Sequence, residues 1–222
     1  MKKKSIILLS GGLDSVVLLG AFKEEYGIEY ALTFDYGQIT AENEINASKI
    51  ICEYYKIKHQ IIKLDWLKKW TTSSLVSGNN IPTENLKTKE SAKSVWVPNR
   101  NGLFLNIAGC LADAMNYKYI LFGANKDEGN TFPDNTEEFR KRVTDEFEYS
   151  TQTKVVVSAP LINYTKDDIV KIALEDKIPL EYIRSCYSST SAKHCGKCES
   201  CIHLKSALEH NRADKYIKLL FG

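Results

Sequence analysis

Apolar runs alternate with amphipathic stretches over the first part of the chain. Residues 6–9 form an unbroken apolar run, which is typical of a strand buried on both faces in a parallel sheet. After a glycine turn, the apolar positions of residues 13–25 recur at helical spacing. The next predicted strand, helix and strand cover residues 29–34, 41–55 and 59–64. Strands that alternate with helices predict right-handed crossovers and a parallel sheet.

Residues 65–98 interrupt this rhythm, because they are polar and follow neither the helical nor the strand period. A loop of that length in a compact domain is typically a lid or a disordered segment. The alternation then resumes with a helix, a strand, a further helix and a fifth strand at residues 102–115, 119–122, from near 133–136, and 154–157. Thr165 and Asp168 have capping-box spacing, which predicts a helix that runs to about residue 176.

The whole pattern predicts an α/β fold with an open, mainly parallel five-stranded sheet and helices on both faces. We expect residues 1–180 to form this domain and residues 181–222 to form a small helical segment packed on it. Hydrophobic residues make up 43% of the chain and charged residues 26%, an ordinary balance for a globular domain.

Charge and length narrow the classes of partner. A net charge of +2 gives no overall electrostatic case for direct nucleic-acid binding, and it leaves a local basic patch open as an alternative. No run of about 18 apolar residues occurs, so no transmembrane helix is expected. The apolar stretch behind the basic N-terminus is too short for a signal-peptide core of about 7–15 residues. We therefore expect a cytoplasmic protein.

The turn after the first predicted strand reads Ser10-Gly11-Gly12-Leu13-Asp14-Ser15, here named the phosphate loop. Its glycines permit backbone conformations and close approaches that side chains forbid. The following helix start is expected to offer unpaired N–H groups and a positive dipole end to an anion, and Ser10 and Ser15 add hydroxyls. A glycine turn without a ligand is the alternative. The motif is neither a Walker A loop nor a G-x-G-x-x-G turn. It resembles the PP-loop of ATP pyrophosphatases, which grips the β- and γ-phosphates of ATP.

A second motif lies near the C-terminus, where Cys186 precedes Cys195, Cys198 and Cys201. Four thiolates at this spacing predict one tetrahedral, structural zinc site. An iron–sulfur cluster and redox or sulfur-carrying cysteines remain alternatives. His194 and His203 flank the motif and could stand in as ligands. The other two cysteines, Cys52 and Cys110, are expected to be plain core residues.

In their order and spacing, these motifs closely resemble the QueC family of 7-cyano-7-deazaguanine synthases. The matching segments run nearly end to end along the chain. They are residues 8–18, Phe34-Asp35-Tyr36-Gly37-Gln38, Val97-Pro98-Asn99-Arg100-Asn101, Gly123-Ala124-Asn125, Pro133-Asp134, Pro160-Leu161, Ser185-Cys186-Tyr187 and residues 195–201.

The resemblance implies an adenine nucleotide alpha-hydrolase-like fold and an ATP-dependent carbon–nitrogen ligase. The implied reaction converts 7-carboxy-7-deazaguanine and ammonia to the nitrile, through an adenylated carboxylate and an amide. It serves queuosine or archaeosine biosynthesis, with Mg²⁺ on the ATP phosphates and a homodimeric enzyme. No glutaminase module is visible, so free ammonium or ammonia from a separate protein is the expected nitrogen source.

The resemblance also assigns expected site residues. Catalytic roles fall on Ser10, Asp14, Ser15 and Arg100. The expected ATP-binding residues are Leu8, Leu9, Ser10, Gly11, Gly12, Leu13, Asp14, Ser15, Val16, Val17 and Leu18. The expected substrate-binding residues are Tyr36, Gln38, Asn99, Arg100, Asn125, Phe132 and Asp134, although Tyr36 and Phe132 could be core aromatics and Asp134 a helix cap.

The sequence departs from the bacterial family pattern at residues 128–136 and at Ile39-Thr40. These changes resemble archaeal-type members or divergent paralogues, and they leave the pocket contacts and the downstream pathway open. Three other functions therefore remain as alternatives. They are a PP-loop enzyme that modifies tRNA, a paralogue that conjugates the activated acid to another amine, and a non-catalytic nucleotide sensor.

Overall fold

The computed structural model describes residues 3–78, 81–83 and 89–222. In this part of the chain, five strands form one sheet in the order β3-β2-β1-β4-β5, and every neighbouring pair is parallel. The strands are β1 Ser5–Leu8, β2 Ile28–Asp35, β3 Lys58–Lys63, β4 Tyr119–Leu121 and β5 Val156–Ser158. The chain adds strands on one side of β1 and then on the other, so a crevice opens between the carboxyl ends of β1 and β4.

Helices connect the strands and extend to the C-terminus. They are α1 Leu13–Tyr26, α2 Ala41–Tyr55, α3 Ser74–Ser77, α4 Lys89–Val95, α5 Arg100–Ala114, α6 Lys126–Gly129, α7 Glu137–Ser150, α8 Lys166–Glu175, α9 Glu199–His210 and α10 Asp214–Phe221. Short 3₁₀ turns lie at Leu67–Lys69, Pro133–Asn135 and Leu180–Tyr182. No helix among these described residues is both long and apolar enough to span a bilayer.

Two apolar cores lie on opposite faces of the sheet. Neighbouring strand residues point to opposite faces, so Ile6 joins one core and Ile7 the other. Helices α5 and α7 cover the Ile6 core, where Leu105 and Phe147 are buried. Helices α1 and α8 cover the other core. Both faces are therefore covered by helices, which confirms the predicted fold class.

The C-terminal helices α9 and α10 share the Ile7 core. Leu204 and Leu208 of α9 and Leu220 of α10 are buried in the same cluster as residues of α1 and α8. The predicted division at residue 180 stays a prediction. Cys52 is buried in this core, as expected, but Cys110 is exposed, so the prediction of a core role for Cys110 was wrong. An apolar helix carries an outer face as well as an inner one, and Cys110 lies on the outer face of α5.

Helix starts follow the predicted capping chemistry. Thr165 and Asp168 form the expected capping box of α8. Of the polar residues considered near 133–136, Thr136 is the N-cap of α7, and its side chain accepts from the N–H of Phe139. The fifth strand starts at Val156, because Lys154 adopts a left-handed φ of 53° that a strand cannot contain.

Residues 65–98 contain more order than their composition predicts. The described part of this segment includes α3, α4 and a 3₁₀ turn. Leu67, Leu75, Val95 and Val97 are buried and pack into the Ile6 core. Each of these short elements is held by one or two buried apolar residues. So few apolar positions do not produce a recognisable helical or strand period in the sequence. The expectation for residues 79–80 and 84–88 lies outside the described residues.

Candidate active site and cysteine cluster

A cavity of about 220 Å³, here named the first cavity, lies at the carboxyl ends of β1, β2 and β4. The phosphate loop forms one wall, β2 and the start of α5 form another, and residues 184–187 close it from the C-terminal segment. Polar and charged residues on its wall are Ser10, Asp14, Ser15, Tyr36, Gln38, Thr40, Glu44, Arg100, Asn101, Glu128, Asn135, Lys166, Arg184, Ser185, Tyr187 and Ser200. The crevice that the strand order creates therefore contains the loop that the sequence singled out.

The phosphate loop bends against α2. Gly11 has a φ of 75°, and a Cβ added there would lie 2.8 Å from Ala47 Cβ and 2.9 Å from the carbonyl oxygen of Glu44. A side chain at this position therefore meets both an unfavourable backbone conformation and a packed helix. This crowding explains why the strand-to-helix turn carries glycine at residue 11.

Internal hydrogen bonds fix the rest of the loop. The hydroxyls of Ser10 and Ser15 lie 3.2 Å apart, and Ser15 Oγ donates to the carbonyl of Gly12 at 3.1 Å. The N–H of Gly12 donates to Ser10 Oγ at 3.3 Å, and the N–H of Leu13 donates to Ser185 Oγ at 3.0 Å. The expectation that the helix start leaves its N–H groups unpaired was therefore wrong for these two groups. Hydroxyls hold the positions that an anionic oxygen could take.

Lys166, the first residue of α8, connects the loop to α6. Its Nζ lies 2.5 Å from Asp14 Oδ2 and 2.9 Å from Glu128 Oε1. Burial acts to lower the pKa of Lys166, but the two carboxylates outweigh it and raise that pKa above its usual range. The lysine is therefore a fixed cation at the loop. Burial raises the pKa of Asp14, against the attraction of Lys166, whereas for Glu128 the lysine outweighs burial and the pKa is lowered.

Arg100 supplies a second cation across the cavity. It is the first residue of α5, directly after Asn99, whose left-handed φ of 51° turns the chain. Arg100 Nη1 donates to the hydroxyl of Tyr36 at 3.2 Å. Glu44 lies on the same wall, where its carboxylate accepts from Thr40 Oγ1 at 2.6 Å and from Gln38 Nε2 at 3.0 Å. Burial raises the pKa of Glu44, which these hydrogen bonds partly oppose.

The four cysteines of the C-terminal motif come together in the structure, and we name them the cysteine cluster. The Sγ atoms of Cys186, Cys195, Cys198 and Cys201 all lie within 4.8 Å of one another. Tetrahedral zinc with Zn–S bonds of about 2.3 Å needs sulfurs roughly 3.8 Å apart. Backbone N–H groups donate to Cys186 Sγ and Cys195 Sγ at 3.2–3.4 Å, as thiolate ligands require. The cluster therefore fits a zinc site.

The flanking histidines are not part of this group of ligand atoms. His194 is buried, and its Nε2 accepts from the N–H of Ser185 at 3.1 Å. Burial, with Arg184 nearby, lowers the pKa of His194 to about 4, so its imidazole is neutral. His203 lies one helical turn into α9, away from the four sulfurs. Four cysteine sulfurs suffice for the coordination.

Comparison with known proteins decides the family. The model of the family described as "Queuosine biosynthesis protein QueC" matches residues 4–212. The chain belongs to the QueC family. Relatives named 7-cyano-7-deazaguanine synthase are 46% identical in Methanosarcina barkeri, across 93% of this chain and 94% of the relative, and 42% identical in Bdellovibrio bacteriovorus, across 99% and 97%. A third, from Methanocaldococcus jannaschii, is 43% identical across 92% and 94%. The family resemblance inferred from the motifs is confirmed.

Among solved structures, one chain shows a distant likeness. It is titled a predicted subunit of tRNA methyltransferase from Methanocaldococcus jannaschii. The two chains share 16% identity with a TM-score of 0.49, over 78% of this chain and 75% of that one.

The residues expected at a QueC-family site fall into three places. Those on the first cavity are Leu8, Leu9, Ser10, Gly12, Leu13, Asp14, Ser15, Tyr36, Gln38 and Arg100. Gly11 packs against α2 and does not line the cavity. Val16, Val17 and Leu18 are fully buried in α1. Their side chains support the loop from the apolar core and do not line the cavity.

The remaining expected substrate residues do not line the first cavity, and their contact with substrate stays a prediction. Asn99 is exposed and packs over Gly102. Asn125 is fully buried, and its Oδ1 caps α6 by accepting from the N–H of Glu128 at 3.0 Å. Asp134 accepts from Asn135 Nδ2 at 3.1 Å. Phe132 stacks on Trp96 in a neighbouring, second cavity.

Sequence reasoning missed several residues that line the first cavity. Lys166 belongs to the capping box that was identified, but no local pattern shows that its ammonium reaches Asp14, far away in the chain. Arg184, Ser185 and Tyr187 also lie on the first cavity. The segment Ser185-Cys186-Tyr187 was noted as part of the family resemblance, and that was the available signal.

Proposed function

We propose that this chain is an ATP-dependent 7-cyano-7-deazaguanine synthase, which converts 7-carboxy-7-deazaguanine and ammonia to 7-cyano-7-deazaguanine. One observation carries the proposal: in a chain of the QueC family, Lys166 and Arg100 face the same cavity as an intact phosphate loop. The relatives that carry this name match almost the whole chain.

The chemistry explains the arrangement. A carboxylate is a poor electrophile, and its oxygen is a poor leaving group until it is transferred to the α-phosphate of ATP. Ammonia then displaces AMP to give the amide, and a second ATP adenylates the amide oxygen, which leaves with AMP and a proton to give the nitrile. The chain's own residues neutralise phosphate charge, hold the reactants close and exclude water. Lys166 and Arg100 provide the two fixed positive charges for that task.

Each side chain has a distinct role in this proposal. The phosphate loop binds the β- and γ-phosphates through its backbone and the hydroxyls of Ser10 and Ser15. Lys166 stabilises negative charge that develops on the departing pyrophosphate. Arg100 presents a rigid guanidinium fork to a phosphate or to the substrate carboxylate. Tyr36, which accepts from Arg100, holds that fork in place.

Asp14 fits a magnesium ion that accompanies ATP. Its Oδ1 is buried and has no hydrogen-bond partner among the described residues, whereas Oδ2 pairs with Lys166. A carboxylate oxygen is the ligand type that Mg²⁺ prefers. Magnesium would neutralise phosphate charge, and Asp14 would hold it or one of its waters.

The cysteine cluster is proposed to hold structural zinc. Its four sulfurs complete a tetrahedral site and leave no open position for catalysis. Iron and zinc analysis of the purified protein separates zinc from the iron–sulfur alternative. One equivalent of zinc without iron is expected. We also propose, from the family resemblance, a cytoplasmic homodimer that acts in queuosine or archaeosine biosynthesis.

Mass spectrometry tests the function directly. The protein is incubated with 7-carboxy-7-deazaguanine, ATP, Mg²⁺ and ammonium, and deazapurine and nucleotide products are read in the same run. The nitrile together with AMP and pyrophosphate is expected. A parallel reaction with glutamine in place of ammonium should give no product. Accumulation of adenylate without nitrile, even at saturating ammonium, would contradict the proposal and favour conjugation to another amine.

A further inference from the structure

A second cavity of about 1040 Å³ adjoins the first. Lys166 lies on the wall of both cavities, so the two spaces meet at its side chain. The second cavity is bounded by α4, by the turn that carries Phe132, and by α9 of the C-terminal segment. It therefore brings together three regions that lie far apart in the chain.

The proposed reaction needs two ligands at once, because the acid must reach the α-phosphate of bound ATP. Pockets for one ligand of drug size usually enclose about 300–1,000 Å³. The first cavity, at about 220 Å³, is small even for one such ligand. A bicyclic base beside ATP needs adjoining space, and the second cavity provides it next to Lys166.

The second cavity has an aromatic wall. The rings of Trp96 and Phe132 lie 6.0 Å apart between centroids and only 12° from parallel. Both side chains are half-buried and line the cavity. A near-parallel aromatic surface of this kind suits a flat heterocycle, because bases stack on aromatic faces.

Glu199 supplies a hydrogen-bond acceptor on the wall of the second cavity. It is the first residue of α9 and lies between Cys198 and Cys201 of the cysteine cluster. Glu199 lines the second cavity, whereas its neighbour Ser200 lines the first. Asp127 also lines the second cavity, but its Oδ2 already accepts from the N–H of Lys166 at 2.8 Å.

We propose that the second cavity binds the deazapurine ring of the acid substrate. The free face of the stacked Trp96–Phe132 pair contacts the face of the ring, and the carboxylate of Glu199 accepts hydrogen bonds from its guanine-type edge. That edge presents a ring N–H and an exocyclic amino group side by side, a pair that matches the two oxygens of a carboxylate. The substrate carboxylate then points to Lys166, where the cavities meet. This inference rests on the proposed function.

A consequence concerns the cysteine cluster. Because two of its ligands bracket Glu199 and Ser200, the cluster fixes one residue at each cavity. The C-terminal segment thereby takes part in substrate specificity as well as in folding.

Direct binding tests the assignment. Calorimetry measures the Kd of 7-carboxy-7-deazaguanine for the zinc-loaded protein in the presence of a non-hydrolysable ATP analogue. Glu199→Gln should weaken binding about 10- to 100-fold, the range for a hydrogen bond to a charged group. Trp96→Leu should weaken it about tenfold. Matched controls are Glu209→Gln, an exposed position on the same helix, and Trp70→Leu, a 74% exposed tryptophan, and both should bind normally.

An analogue that lacks the exocyclic amino group sharpens the test. The unmodified protein should bind it at least about tenfold more weakly than the acid, and Glu199→Gln should remove most of that difference. Equal Kd values for the acid in all five proteins, or none for any, would overturn the inference. Weakened binding in the two cavity variants, with normal zinc content, supports it even if no nitrile forms. If the nitrile forms but the Kd values of the two cavity variants equal that of the unmodified protein, this site is rejected and the proposed function is retained.

Discussion

The phosphate loop and the cysteine cluster are both short motifs, but different forces hold them in place. The loop lies between two large apolar cores, and Gly11 packs directly against α2. Among the described residues, the cluster has few apolar neighbours outside its own cysteines, which are the half-buried side chains of Ile81, Tyr187 and Phe221. The loop is therefore positioned by the sheet and its helices, whereas the cluster is expected to depend on the zinc ion proposed for it. Two motifs of similar length are thus stabilised in different ways.

Removing one ligand of the cluster should have the largest effect. A structural zinc site contributes on the order of 10 kcal/mol of apparent binding free energy, and Cys198→Ser is expected to forfeit roughly half of it. A loss of about 5 kcal/mol lowers Tm by about 10–20 °C in a chain of this size. Calorimetry with zinc analysis measures both, and Cys110→Ser is the control because Cys110 is exposed and outside the cluster.

One outcome would contradict a structural role for Cys198. If Cys198→Ser kept its zinc and its Tm but lost all activity, the thiol would be catalytic and the contrast with the loop would disappear. Partial activity in the folded fraction is the expected outcome at low temperature.

The second-largest effect is expected from Lys166→Met, which tests whether the phosphate loop needs the lysine for ATP turnover. Lys166→Met removes the cation that pairs with Asp14 and Glu128, and kcat/KM for ATP should fall about 10³-fold. The free energy of unfolding should also fall, because two carboxylates are left without their partner. Pyrophosphate release measures the activity. Lys171→Met, an exposed site on the same helix, should leave it unchanged, and Lys166→Arg should restore part of it if charge is what matters.

These two regions also show what the sequence could predict. The five strands, the long helices around the sheet and both motifs were predictable, because period and spacing are local properties of the chain, but the short helices α3 and α4 were missed. The partners of those motifs were not. Lys166 reaches Asp14, and Ser185 bonds to the N–H of Leu13, only because the sheet order brings distant segments to one edge. Nothing local shows that Asn99 turns the chain and that Asn125 caps α6, and their expected contact with substrate stays a prediction.

The smallest effect separates backbone strain from crowding in the loop. Gly11 and Gly78 share a φ of 75°, but among the described residues a Cβ at Gly78 would meet nothing closer than Ile39 at 3.5 Å. Gly78→Ala should therefore cost about 1–2 kcal/mol, the cost of a left-handed conformation alone. Gly11→Ala adds a clash with Ala47 and Glu44, so it should cost about 1–3 kcal/mol more. Chemical denaturation measures both values. Equal costs would mean that the loop yields locally and that α2 does not fix it, whereas a larger cost at Gly11, together with a raised KM for ATP, would show that packing against α2 sets the geometry of the phosphate site.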